Sequence, residues 1–279
     1  MEHISSTKAL AAAVDAARAA GAIMRKNLTA EKKANEITSH DIKLELDVRC
    51  QKLIERKLHA AFPKIALLGE EGVAGDENAE YRWVVDPIDG TVNFAHGIPH
   101  ASVSIALQQR VEGRGSRVET KPRQSTPLDT RRKSHVTILG VVYDPFQDEM
   151  WTAIHGQPAR LNGRRIHVSK TRKLNECIVS IGFAKNRSNL ERALPYFIWL
   201  ARRSQKIRMF GSAALALTYV ATGRIDAYIE RGINLWDIAA GGLILECAGG
   251  KFWHEVTDKG KYRMIASNGL IHAKLPKPK

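Results

Sequence analysis

At 279 residues, 44% hydrophobic and 26% charged, the chain can bury a substantial core and is excluded from the mainly disordered class. Its 43 lysines and arginines against 29 acidic residues leave a formal charge of +14, which favours polyanions and steers phosphorylated small molecules to the surface. Three scattered cysteines (Cys50, Cys177, Cys247) without CxxC spacing argue against a disulfide framework or a cysteine zinc site, and no apolar run reaches the roughly 18–20 residues of a membrane span, so a cytoplasmic setting is expected.

Residues 5–28 predict a helix. Ser5, Ser6 or Thr7 can cap it, alanines fill it, and Leu10, Val14, Ala17 and Ile23 share a face. Asp15 cuts short the apolar stretch Ala9–Val14, which argues against a secretory signal. A second helix is predicted from about Asp41, with Leu44, Val48, Leu53, Ile54 and Leu58 apolar and its end before Pro63. The period then changes. Residues 65–68 and 83–85 are short apolar runs that each end on acids, as buried strands delivering carboxylates to one sheet edge would. Alternation in 101–107 and 138–143 predicts two antiparallel neighbours.

Between them, Glu112–His135 carries seven basic residues (Arg114, Arg117, Lys121, Arg123, Arg131, Arg132, Lys133) against three acids and few apolar side chains. It predicts a long basic surface loop at 112–135, without the interleaved aromatics of a dedicated nucleic-acid groove. Beyond it the pattern predicts strands at 177–183, 207–210, 226–230, 251–253 and 263–266. Helices are predicted at 189–204, 212–222 and 236–247, with a short one at the C-terminus. Such a mixture predicts an α/β (α+β) layered sandwich, one domain over 1–279 that could divide into 1–175 and 176–279, although composition marks no linker.

The acids carry the chemistry. Gly69-Glu70-Glu71 and Asp86-Pro87-Ile88-Asp89-Gly90-Thr91 each follow an apolar run, and Trp236-Asp237 opens a later helix. Hard divalent cations such as Mg²⁺ take carboxylate oxygens, water and phosphate, and two cations roughly 3.5–4 Å apart can clamp both oxygens of a phosphoryl transfer. Asp86 and Asp89 flank a proline-initiated turn with the Ile88 carbonyl between them, so they can face one pocket; the same residues also suit an ordinary surface turn. A place directly after a buried strand favours function.

Residues 86–94 (Asp-Pro-Ile-Asp-Gly-Thr-Val-Asn-Phe) and 236–250 (Trp-Asp-Ile-Ala-Ala-Gly-Gly-Leu-Ile-Leu-Glu-Cys-Ala-Gly-Gly), in this order, resemble the paired signature of the inositol monophosphatase family. Gly-Glu-Glu (69–71) and Gly-Ser-Ala-Ala (211–214) stand where that family has its acidic pair and substrate loop, and the resemblance runs from residue 8 to 275. It implies an αβαβα sandwich of the inositol monophosphatase and fructose-bisphosphatase type, assembled as a homodimer. The implied activity is Mg²⁺-dependent, lithium-sensitive hydrolysis of a small phosphorylated polyol, foremost myo-inositol 1-phosphate, by metal-activated water.

The same resemblance implies residue roles. Glu70, Asp86 and the Ile88 carbonyl would hold a first Mg²⁺, Asp86, Asp89 and Asp237 a second, and Glu70 a weaker third. Asp47 would hydrogen-bond the Thr91 hydroxyl, and Thr91 with Glu70 would orient and deprotonate the attacking water. Gly90 and Thr91 would offer N–H groups to the phosphate beside a helix N-terminus. Asp89, Ala213 and Glu230, with Gly211 and Ser212 of the substrate loop, would meet the substrate.

Plainer readings stand beside these. Asp47 lies among charged residues and suits a solvated helix face, Glu71 is not expected to be a ligand, Trp236 suits packing beneath the site, and most histidines suit the surface. Cys247 suits a small hydrophobe. Relatives acting on histidinol phosphate, fructose 1,6-bisphosphate or 3′-phosphoadenosine nucleotides share the acidic motifs; Glu230 with Gly211-Ser212-Ala213 favours inositol. Some bacterial members associate with the transcription machinery, and the net charge would suit RNA or an acidic partner. Two departures from the family pattern stand out. Glu36 occupies the place of a usual lysine, with Lys32 and Lys33 nearby, which would weaken phosphate affinity or alter pH dependence. The 112–135 segment is longer than the family's short hairpin connection, as an inert insertion, a polyanion patch or a lid.

Overall fold

The computed structural model describes residues 4–30, 34–37, 42–76, 79–112, 133–182, 187–257 and 260–278. Helix α1 (Ser6–Asn27) begins where the Ser5 side chain accepts the Lys8 N–H at 3.4 Å. Its buried face is Ala9, Ala13, Ala16, Ala17, Ala20 and Gly21, so the helix lies close to its neighbours; a Cβ on Gly21 would come within 2.6 Å of the Tyr143 ring. Strands β1 (Ala34–Ile37) and β2 (Ile42–Leu44) pair antiparallel and lead directly into α2 (Glu45–Ala61).

This corrects the predicted helix start near Asp41. Leu44 stays extended because Asp47, in the first turn of α2, accepts the Leu44 N–H at 2.8 Å and so marks the helix boundary. Glu36 lies in β1; its side chain, Lys32 and Lys33 lie outside the described residues.

Next come β3 (Ala66–Gly69), β4 (Gly72–Ala74), β5 (Tyr81–Asp89), the short helix α3 (Thr91–Ala95), β6 (Ser102–Glu112) and β7 (Lys133–Asp144). Strands β8 (Glu149–Ile154), β9 (Arg160–Leu161) and β10 (Arg164–Arg165) follow without having been predicted, the last two being too short to show a period. They form one sheet in the order β10-β9-β8-β7-β6-β5-β3-β4, in which only β3 and β5 run parallel. Glu112 and Lys133 pair across β6 and β7, so the 113–132 segment joins adjacent strand ends; its own structure lies outside the described residues.

The rest comprises β11 (Ile178–Ile181), α4 (Arg187–Ala201), β12 (Lys206–Arg208), α5 (Ala213–Ala221), β13 (Ala227–Ile233), α6 (Leu235–Cys247), β14 (Lys251–Val256) and β15 (Tyr262–Ser267). The five strands order as β12-β11-β13-β15-β14. The predicted C-terminal helix is a single 3-10 turn at His272–Lys274.

Five layers result. Met24, Ile54 and Leu58 of α1 and α2 pack with Trp83, Ile105 and Tyr143 on one face of the large sheet. Its other face and the small sheet enclose α5 and α6, where Leu215, Leu217, Ile244 and Leu245 meet Trp151, Tyr228 and Met264. Leu200 of α4 joins Val179, Ile229 and Ile265 beneath the small sheet. This is the αβαβα order, and it explains why α6 is apolar all round: both its sides face a sheet.

Candidate metal and phosphate site

Parallel pairing of β3 with β5 places Gly69 opposite Val85, so Glu70 and Asp86 leave the same sheet edge together; the Glu70 N–H donates to the Val85 carbonyl at 3.2 Å. Gln51 of α2 holds the acidic turn in place. Its side chain accepts the Glu71 N–H at 2.9 Å and donates to the Gly72 carbonyl, and a Cβ on Gly69 would overlap it. Nothing in sequence spacing pointed to Gln51, because its partners are backbone groups about twenty residues away.

The Asp86–Asp89 segment is not the turn predicted from Asp-Pro-Ile-Asp. β5 continues through it, and its register against β6 shifts between Asp86, opposite Ser104, and Asp89, opposite Ser102. One extra residue on the β5 side is a bulge, which re-aims side chains and brings the two carboxylates together. The chain then turns at Gly90, whose φ of +92° is left-handed and whose Cβ would stand 3.0 Å from the His100 carbonyl.

Asp237, in the first turn of α6, completes a cluster. Carboxylate oxygens of Asp86, Asp89 and Asp237 all lie within 4.8 Å of one another, with Asp86 and Asp89 buried. Burial, followed by the charges of Glu70, Asp89 and Asp237, holds the Asp86 carboxyl well above the usual carboxylate range. Burial and Asp89 push Asp237 up to about 7. Burial also raises Asp89, opposed by four donors: the Ser212 hydroxyl, the Ala213 N–H at 3.1 Å, the Ala214 N–H at 2.9 Å and the Ser102 hydroxyl at 3.4 Å. Three crowded acids are costly as bare anions and well matched to a hard cation, so the donor set fits a divalent metal.

The remaining predicted residues gather around this cluster in differing ways. The Thr91 hydroxyl donates to the Ile88 carbonyl at 2.9 Å. Asp47 is buried and capping α2, which replaces the solvated-face reading. Ser212 caps α5, with its hydroxyl committed to Asp89 and to the Leu215 N–H; Ala213 commits its N–H to Asp89. Gly211 precedes them at φ +74°.

Glu230, at the far side, accepts the buried Tyr228 hydroxyl and feels Asp237 electrostatically. A Cβ on Gly182 would overlap the Glu230 carboxylate, so that glycine makes its room. Trp236 packs partly buried against the central core, and its carbonyl accepts the Ser104 hydroxyl at 3.1 Å. His100 departs from the surface reading: it stacks on Phe210 with ring centroids 5.4 Å apart.

Comparison with known proteins agrees with this arrangement. The model of the Inositol monophosphatase family matches residues 6–115 and 132–277. A protein named Nus factor SuhB from Pseudomonas aeruginosa is 36% identical over 269 residues, covering 92% of this chain and 90% of its own. An inositol-1-monophosphatase from Synechocystis is 36% identical, covering 85% of this chain and 75% of its own. Among solved structures, the extragenic suppressor protein suhB of Bartonella henselae superposes with TM-score 0.81 at 32% identity over 95% of both chains. The Thermotoga maritima IMPase gives 0.76 at 32% identity, covering 94% of this chain and 92% of its own. With the family's model matched along nearly the whole chain and the acids of its two signature segments meeting within 4.8 Å, this protein belongs to the inositol monophosphatase family of metal-dependent phosphatases.

Proposed function

We propose that the protein hydrolyses a small phosphorylated polyol, with myo-inositol 1-phosphate the first candidate, using two or three Mg²⁺ ions. The observation that carries this reading is the convergence of Asp86, Asp89 and Asp237 from two distant segments within 4.8 Å. Glu70, Asp86, the Ile88 carbonyl, Asp89 and Asp237 would hold the ions. Bound Mg²⁺ would neutralise phosphate charge, lower the pKa of water and stabilise the leaving alkoxide.

The chain supplies the rest. The Gly90 and Thr91 N–H groups, at the left-handed turn of Gly90, would donate to phosphate oxygens. Glu70 and Thr91 stand on either side of Asp86 in the chain as the groups to take and orient the proton of the attacking water. Glu230 and the 211–213 loop would receive the alcohol's hydroxyls, Glu230 being fixed by Tyr228. The naming of relatives as inositol-1-monophosphatase and as fructose-1,6-bisphosphatase/inositol-1-monophosphatase supports this substrate class. A phosphate-release panel of inositol 1-phosphate, histidinol phosphate, fructose 1,6-bisphosphate and 3′-phosphoadenosine 5′-phosphate tests it, run with Mg²⁺, with Mn²⁺ and with added Li⁺. Inositol 1-phosphate should lead and Li⁺ should inhibit; preference for another ester reassigns the substrate, and no release from any of them defeats the reading.

A homodimer suits α4, whose Leu190, Leu194 and Ile198 are 40%, 43% and 48% exposed at one-turn spacing. Relatives named Nus factor SuhB favour a second role in a transcription complex. One surface supports it: no acid occurs between Glu149 and Glu176, while Arg160, Arg164, Arg165, Lys170 and Arg172 are exposed and Arg160 faces Arg165 across β9 and β10. Salt-dependent RNA retention lost on reversing Arg164 and Lys170, or on deleting 113–132, with phosphate release intact, would support that role and say which basic segment serves it.

A further inference from the structure

Asn93 occupies α3, four residues beyond Asp89. Its side-chain nitrogen donates to two backbone carbonyls, His100 at 2.9 Å and Phe210 at 2.8 Å, the second 117 residues downstream. A primary amide carries two N–H groups on one atom and can serve both carbonyls; a hydroxyl has one such group and an alkyl or carboxylate none. Directly after Phe210 come Gly211, Ser212, Ala213 and Ala214, and the last three are donors to Asp89.

The surroundings leave little slack. A Cβ on Gly211 would lie 2.9 Å from the same Asn93 nitrogen, and one on Gly90 would lie 3.2 Å from the Gly211 carbonyl. His100 and Phe210 stack, and Tyr219 meets their rings edge-on at 5.8 and 5.5 Å. Stacked rings can slide over one another, whereas two directed hydrogen bonds from one atom fix the register.

We propose that Asn93 is a positioning residue: its amide locks the 210–214 segment onto the Asp89–Asn93 segment. The lock fixes the spacing between the phosphate side of the site (Gly90, Thr91) and its alcohol side (Ala213). Its kinetic consequence rests on the phosphatase reading; its structural consequence does not.

The test compares Asn93→Leu, which removes both donors while keeping the branching of the side chain, with Asn93→Gln, which keeps the NH₂ on a longer arm. Amide hydrogen exchange in the 210–215 peptide should quicken about tenfold in Asn93→Leu, with exchange in α6 unchanged. KM for the polyol phosphate should rise about tenfold, while that for p-nitrophenyl phosphate, which offers no hydroxyls, moves by less than about threefold. Asn93→Gln should recover part of both effects. Unchanged exchange at 210–215 overturns the proposal, as does an equal loss with both esters accompanied by a lowered melting temperature. If the parent releases no phosphate at all, the phosphatase reading fails, and the exchange comparison still decides the role of Asn93.

Discussion

Asp89 caps a helix that begins 124 residues after it: its carboxylate accepts the Ser212 hydroxyl and, in succession, the Ala213 and Ala214 N–H groups at the start of α5. One carboxylate thus serves the acid cluster and the docking of the 212–214 segment, which holds Asp89 in a single orientation despite repulsion from its neighbours. Ser212→Ala removes one donor and the N-cap of α5 while both backbone donors remain. Urea denaturation should register a loss of about 1 kcal/mol. Phosphate release should fall by less than about tenfold, since only one of several hydrogen bonds is lost.

Replacing Asp86 by Asn should separate activity from stability. Phosphate release should drop by about 100-fold or more, because several kcal/mol of charge stabilisation depends on the metal set. In chelator the variant should melt above the parent, since one of three crowded acids becomes neutral. Parent-like turnover would remove Asp86 from the ligand set, and a lower melting temperature in chelator would show that the crowding is not a strain.

The pH dependence follows from Asp237, raised from an ordinary value of 3.8 to about 7 by burial and Asp89. Between those values the folded protein holds a proton that the unfolded chain has released. Its contribution to stability is therefore full below about pH 4 and lost as pH rises through 7. Urea midpoints in chelator should decline from pH 5 to pH 8, less steeply in Asp237→Asn. Mg²⁺ competes with the same proton, so its half-saturating concentration should fall over that range. An unchanged Mg²⁺ requirement in Asp237→Asn would remove Asp237 from the site.

For the proposed alcohol contact, Gly182→Ala should displace Glu230, whose carboxylate occupies the space of the added methyl. KM for a polyol phosphate should rise about tenfold, the loss of roughly one charge-assisted hydrogen bond, with Mg²⁺ activation unchanged. Equal kinetics in parent and variant would place Glu230 outside the substrate's reach.

Much of the layering was legible in the sequence. Apolar period separated α1, α2, α5 and α6 from β5, β6 and β7, because each element buries a face of its own. The α2 start was missed by a few residues, since a side chain at Asp47 rather than propensity sets it. Strands β9 and β10 escaped notice because they pair through backbone groups over two-residue runs too short to alternate.

For the site, local chemistry along the chain determined the acids, the glycine at position 90 and the order of the two signature segments: these are statements about residue type and spacing, which need no third dimension. What only tertiary structure decided is how those residues aim. A bulge rather than a turn brings Asp86 and Asp89 together, Ser212 and Ala213 face Asp89, Thr91 faces the Ile88 carbonyl, and Gln51 and Asn93 hold distant backbone in register. Each depends on hydrogen-bond geometry between segments far apart in sequence, and such geometry exists only once the sheets and helices have packed.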